Sequence, residues 1–196
     1  MTASLDDALP SRKEGWILLA ESGPRVAPKR LTRAALDALS PAAKAAHDRA
    51  RRVWHANIGP LRTAQMMALH DDLWDIVETN HQDGDKAKGA AAIDGYPGLG
   101  KTTAALVFAR EFHRRQIAEE GRFTVGGHEH LPVCWIGLGA NTTIKGLNRT
   151  ILDFYAHPAA AGGYRRATTT QLASQAHDCI VSCRTRLIVV DFTDRG

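Results

Sequence analysis

The sequence lacks what would commit it to a membrane or to an oxidising compartment. No stretch of its 196 residues approaches the roughly 18 to 20 consecutive apolar residues that a membrane span needs. The start, Met1-Thr-Ala-Ser-Leu-Asp-Asp, has no basic segment followed by an apolar one, so no secretory leader is read there. Cys134, Cys179 and Cys183 are an odd set without scaffold-like spacing, which argues against a disulfide framework and for reduced thiols. Together these absences predict a cytoplasmic protein with no membrane partner. Internal repeats are absent too, and the only low-complexity patch, Pro158 to Gly163, reads as a loop.

What is present suffices for one ordinary domain: 44% of residues are hydrophobic and 23% charged, too apolar a mixture for disorder. The formal net charge is +4. Residues 1–88 carry 13 basic and 12 acidic side chains and residues 89–196 carry 12 and 9, so no segment reads as a basic arm. Such a balance permits nucleic-acid contact without demanding it.

Hydrophobic spacing divides the chain near residue 85. Residues 1–30, with Pro10, Pro24 and Pro28, show no sustained period and read as a loosely packed lead-in. Ser40 followed by Pro41 is a cap and first-turn pair, predicting a helix to about Ala56. Met66, Leu69, Leu73, Ile76 and Val77 predict another from about Thr63 to Thr79. The polar run Asn80 to Lys86 marks a boundary. Beyond it, a short run from Ala90 to Asp94 reads as a strand before a glycine-rich segment. Helices are expected over Lys101 to Ala118, Thr143 to Tyr155 and Thr169 to Cys183. Leu131 to Leu138 and Arg186 to Asp191 are apolar enough for buried parallel strands. Alternating strands and helices imply an α/β layer fold.

Gly95-Tyr96-Pro97-Gly98-Leu99-Gly100-Lys101-Thr102 fits the G-x-x-x-x-G-K-[ST] phosphate-binding loop at every fixed position. Its glycines let backbone N–H groups converge on phosphate oxygens, and the helix that opens at Lys101 adds its dipole. Lys101 can reach the β- and γ-phosphates, Thr102 can ligate Mg²⁺, and Thr103 adds a contact toward the α-phosphate. The plainer alternative is a glycine turn that caps a helix. Leu187-Ile-Val-Val-Asp191 supplies the second carboxylate, on a strand, that a phosphate loop needs for its Mg²⁺. Its plainer alternative is an aspartate capping a turn.

With both motifs in place, the chain resembles the AAA+ P-loop ATPases of the TniB, IstB and TnsC transposition-regulator kind. The resemblance rests on Gly95 to Thr103, on Leu187 to Asp191 and on the helices between them. Arg51-Arg-Val-Trp54 and His70-Asp-Asp-Leu-Trp74 also look like the helical lead-in of such proteins. It implies an N-terminal helical region over residues 1–84 and a P-loop core over residues 85–196, a partial parallel sheet with flanking helices. It further implies ATP and Mg²⁺ as ligands, Lys101 as the catalytic cation, DNA or a transposase as partner, and a homo-oligomer in complete relatives. Ile58, Pro60 and Leu61 are expected at the adenine wall.

Two departures bear on turnover. The family places an acid after the strand aspartate, where this chain has Phe192, and a phenyl ring cannot accept a proton. In the implied strand order the phosphate-loop strand lies between the fourth and fifth strands, whereas the sequence supplies three, so the core is expected to be incomplete at its C-terminus. Asp194 stands as a displaced acid or a solvated charge. Nucleotide binding is therefore expected more firmly than hydrolysis. A helical interaction module with a vestigial nucleotide site is the alternative, and a small-molecule P-loop kinase a third reading.

Other constellations weigh less. His128 and His130 read as solvated rather than as metal ligands, and Cys179 and Cys183 as core thiols. Arg114-Arg115 and Arg165-Arg166 read as solvated pairs that could meet a phosphate, and Trp54 and Trp74 as packing residues.

Overall fold

The computed structural model describes residues 8–80, 88–158 and 167–192. In chain order these form α1 (Lys13–Glu21), α2 (Arg33–Asp37), α3 (Pro41–Ala56), α4 (Ala64–Thr79), α5 (Lys101–Glu120), β1 (Val133–Leu138), α6 (Ile144–Phe154), α7 (Thr169–Ser182) and β2 (Leu187–Phe192). The architecture is mixed α/β, and none of the described helices is long and apolar enough to cross a membrane. The chain divides into two compact units, one of residues 1–22 with 68–196 and one of residues 23–67.

In the first unit, β1 and β2 pair in parallel, with Val133 opposite Leu187 and Gly137 opposite Asp191. Their apolar runs are what such pairing requires, because the crossover puts helices against the sheet. That crossover is α6 and α7, which start where their sequences say: the Thr143 hydroxyl accepts from Gly146 N, and Thr168 and Gln171 form a reciprocal capping box. Leu152, Phe154 and Leu172 from these helices, with Val133, Trp135 and Ile136 of β1, make the core. Cys179 and Cys183 pack at its edge, and burial raises both thiol pKa values.

Helix α5 completes the layer by burying Ala104, Phe108, Ala109, Phe112 and His113. Trp74 of α4 lies edge-on to Phe108 at 5.0 Å, and the His70 ring donates from Nε2 to the Ala104 carbonyl at 3.0 Å. The other end of α5 is tied to the start of β2. There Arg186 donates to Gln116 Oε1 at 2.8 Å and pairs with Glu120 at 2.7 Å.

Two expectations are corrected here. Residues 8–22 are not a loose lead-in: α1 buries Trp16 and Ala20 completely. Trp16 stacks on Trp135 at 6.0 Å and donates its indole N–H to His113 Nδ1 at 3.1 Å. Gly15 is required where the lead-in passes over α1, since a Cβ there would collide with the Leu9 carbonyl. Second, Ala90 to Asp94 is not a strand; the run has no ladder partner among the described residues, and four of its five residues are exposed. Arg114 and Arg115 are exposed, as read, and each is also anchored to the fold. Arg114 donates to the carbonyls of Ala20 and Ser22 at 2.6 Å each, closing the C-terminus of α1, where a cation is favoured. Arg115 lies 5.0 Å over the Trp74 ring and pairs with Glu119.

In the second unit, Ser40 caps α3 as expected, accepting from Ala43 N at 3.3 Å. No residue of α3 is buried. An extended segment runs antiparallel along it: Trp54 Nε1 donates to the Arg25 carbonyl and His47 Nε2 to the Lys29 carbonyl.

Candidate nucleotide site

The phosphate-loop segment is a turn that delivers the chain into the first residue of α5. Gly98 and Gly100 have φ of 82° and 81°, the left-handed region that side-chain-bearing residues avoid, and Gly100 is the N-cap of the helix. A Cβ at either position would meet nothing within 4 Å, so both glycines serve backbone conformation and not packing. Asp94, which the sequence reading did not single out, accepts from Gly95 N at 2.7 Å and fixes the entry to the turn. An aspartate directly before a glycine was the available signal.

Lys101 turns its ammonium back into the curl, 2.5 Å from the Gly95 carbonyl and 3.0 Å from that of Tyr96. The cation is thus held by the backbone of the turn that opens the helix. Thr102 points the other way, toward the sheet, and its hydroxyl donates to Asp191 Oδ1 at 3.1 Å. The strand end and the helix start meet through this bond. Thr102 and Thr103 are exposed, as are Tyr96 and Leu99. An ammonium in a glycine turn, a helix N-terminus, and a hydroxyl beside a carboxylate make a donor set that fits a polyphosphate with a hard divalent cation. Mg²⁺ takes few protein ligands, so one hydroxyl and one carboxylate are enough on the protein side.

Phe192 follows Asp191 in β2 with its ring 75% exposed, opposite Leu138 in the register. Asp194, Arg165 and Arg166 lie outside the described residues, as does most of the Pro158 to Gly163 run. Ile58, Pro60 and Leu61 are all exposed and belong to the residue 23–67 unit.

Of the two histidines read as solvated, His128 is exposed and His130 is not. Glu129 pairs with Lys13 at 3.0 Å, and His130 is buried with Nδ1 donating to the Gly121 carbonyl at 2.8 Å. Among the described residues no group of three or more His, Cys, Asp or Glu side chains is placed to hold a metal ion. Comparison with protein families, with curated proteins and with solved structures finds no match to this chain.

Proposed function

We propose that the chain binds MgATP through residues 95–103 and Asp191, as an ATP-binding protein of the AAA+ transposition-regulator kind that its motifs resemble. One observation carries the reading. The phosphate-loop hydroxyl and the strand carboxylate, which such a site uses together on one cation, lie 3.1 Å apart although Thr102 and Asp191 are 89 residues apart in sequence. The parallel adjacency of β1 and β2, and the placement of α5 between its tethers to β2, support it.

In this reading the loop N–H groups and Lys101 bind the phosphates, while Thr102 and Asp191 hold Mg²⁺, which supplies neutralising charge at the phosphate oxygens. Lys101 exchanges two loop carbonyls for phosphate oxygens. Phe192 offers no base for an attacking water, so the function is nucleotide-dependent binding without turnover by the usual route. DNA or a transposase as the partner, and assembly into a homo-oligomer, follow from the resemblance.

The test is MgATP titration of the whole chain beside Lys101→Ala, read by thermal unfolding. Ligand at 100 times Kd stabilises a protein by about 2.7 kcal/mol, a shift of roughly 5–10 °C for a domain of this size. Wild type should shift and Lys101→Ala should not. Equal behaviour of the two would overturn the proposal.

A further inference from the structure

The net charge of +4 hides a segregation that the fold makes plain. The residue 23–67 unit holds nine lysines and arginines against two aspartates, a formal +7, and the remainder of the chain is therefore net acidic at −3. Splitting the sequence at residue 88, as in the expectation that no segment reads as a basic arm, averages this away.

Both aspartates are engaged by cations of the same unit, Asp37 with Arg33 at 2.9 Å and Asp48 with Arg51 at 4.0 Å. Two of the nine cations, Arg25 and Arg49, line an open groove of about 400 Å³ between the extended segment and α3. Its walls carry Arg25 and Arg49, and Val26, Ala50 and Val53 lie between them beside the Trp54 indole. Val26 is 92% exposed, so this apolar strip is open to solvent.

We infer that this groove docks a single strand of nucleic acid, with phosphates on the guanidinium groups and a sugar or base against the apolar strip and the indole. Charge complementarity names an acidic polymer as the occupant. The apolar floor selects the single strand, because unstacked bases offer apolar faces that a duplex keeps in its stack, and an indole is a platform for them. The volume admits about one nucleotide unit, the scale on which small ligands fill pockets of roughly 300 Å³ upward. Arginine suits the phosphate contact because its planar fork can donate two bonds at once. The groove belongs to the residue 23–67 unit and includes no residue of the phosphate loop.

The experiment is fluorescence anisotropy of the whole chain with a labelled mixed-sequence DNA strand of about 20 nucleotides at about 50 and 200 mM salt. Neutralising two phosphates of a single strand, one at each guanidinium group, should weaken binding by about sevenfold across that range. Arg49→Glu should weaken it at least tenfold. Lys145→Glu, the same change of net charge placed on α6, should leave it within threefold. Lys101→Ala should bind the strand as wild type does, which separates this surface from the nucleotide site. Quenching of tryptophan emission by the unlabelled strand should be reduced in Trp54→Phe. No binding at the lower salt, equal affinity for the matching duplex, equal competition by polyglutamate, or equal losses in Arg49→Glu and Lys145→Glu would each overturn the assignment. Unchanged helical circular dichroism in Arg49→Glu excludes unfolding as the cause of its loss.

Discussion

The Thr102 hydroxyl donates to Asp191 Oδ1 at 3.1 Å, and this contact ties one end of α5 to β2. Another, Arg186 to Gln116 at 2.8 Å, lies at the opposite end of both elements. Residue 102 meets residue 191 while residue 116 meets residue 186, so the helix runs antiparallel to the strand. Its N-terminus and the strand's C-terminus therefore share one end of the sheet. In open α/β sheets that end is where ligands bind. The phosphate loop, the hydroxyl and the carboxylate converge there because the packing of Phe108 and Phe112 fixes the rotation of α5.

Thr102→Val separates metal from nucleotide. An exposed neutral-to-charged hydrogen bond contributes about 1 kcal/mol, so the variant should remain folded with a Tm lowered by only a few degrees. Its ATP affinity in the presence of a chelator should equal that of wild type. The gain in affinity on adding Mg²⁺ should be present in wild type and absent in the variant, as read by calorimetric titration.

Trp16 tests whether the first described helix is part of the core. Trp16→Ala removes a completely buried indole that stacks on Trp135, and large-to-small changes of this kind cost about 3–5 kcal/mol. Denaturant unfolding should show that loss with the midpoint falling. Trp16→Phe should fall between the two, because it keeps part of the ring packing and leaves His113 Nδ1 without its donor. A loose lead-in would give no change for either.

How far the sequence revealed this structure depended on whether the determining interactions were local. Ser40-Pro41 marked the start of α3 to within a residue, and the Thr143 cap and the Thr168–Gln171 box are likewise contained within one helical turn. The motif residues were legible because their spacing reflects chemistry at one point. Helix α1 was not, since in its nine residues only Trp16 and Ala20 are buried, with Ile17 packed partly beside them, too short a stripe to establish a period. Ala90 to Asp94 looked like a strand from its apolar content, but pairing belongs to two segments, and its own composition cannot supply the second. Arg114 is exposed as read, but its acceptors, the carbonyls of Ala20 and Ser22, lie more than 90 residues away and leave no local signal. The basic unit was missed by choosing a boundary at the polar run instead of at the compact units.

Phe192 bears on turnover and scarcely on folding. Its ring is 75% exposed, so Phe192→Glu should change stability by less than about 0.5 kcal/mol. Wild type should bind MgATP with phosphate release at the level of buffer, measured by a coupled phosphate assay. Release by wild type that is abolished in Lys101→Ala would show that an acid other than one at position 192 serves the water.

The buried His113 ring gives the fold an acid sensitivity with a defined window. Burial is the main cause that lowers its pKa, to about 4 from an ordinary value near 6.5, and it outweighs the opposing attraction of Glu21. The Trp16 N–H points at Nδ1, so the neutral ring carries its proton on Nε2, and that nitrogen has no hydrogen-bond partner in the fold. Below pH 6.5 the unfolded chain takes up a proton that the folded chain refuses. The stability from His113 is therefore complete above about pH 6.5 and is lost as pH falls toward 4, by up to about 3 kcal/mol. His113→Gln keeps an acceptor for Trp16 without a group that titrates in this range. Carboxylates weaken both proteins alike, so the difference in unfolding free energy between wild type and variant isolates the histidine. Wild type should lose more stability than His113→Gln between pH 7 and 4.5, and parallel curves would mean that the ring is hydrated or charged in the fold.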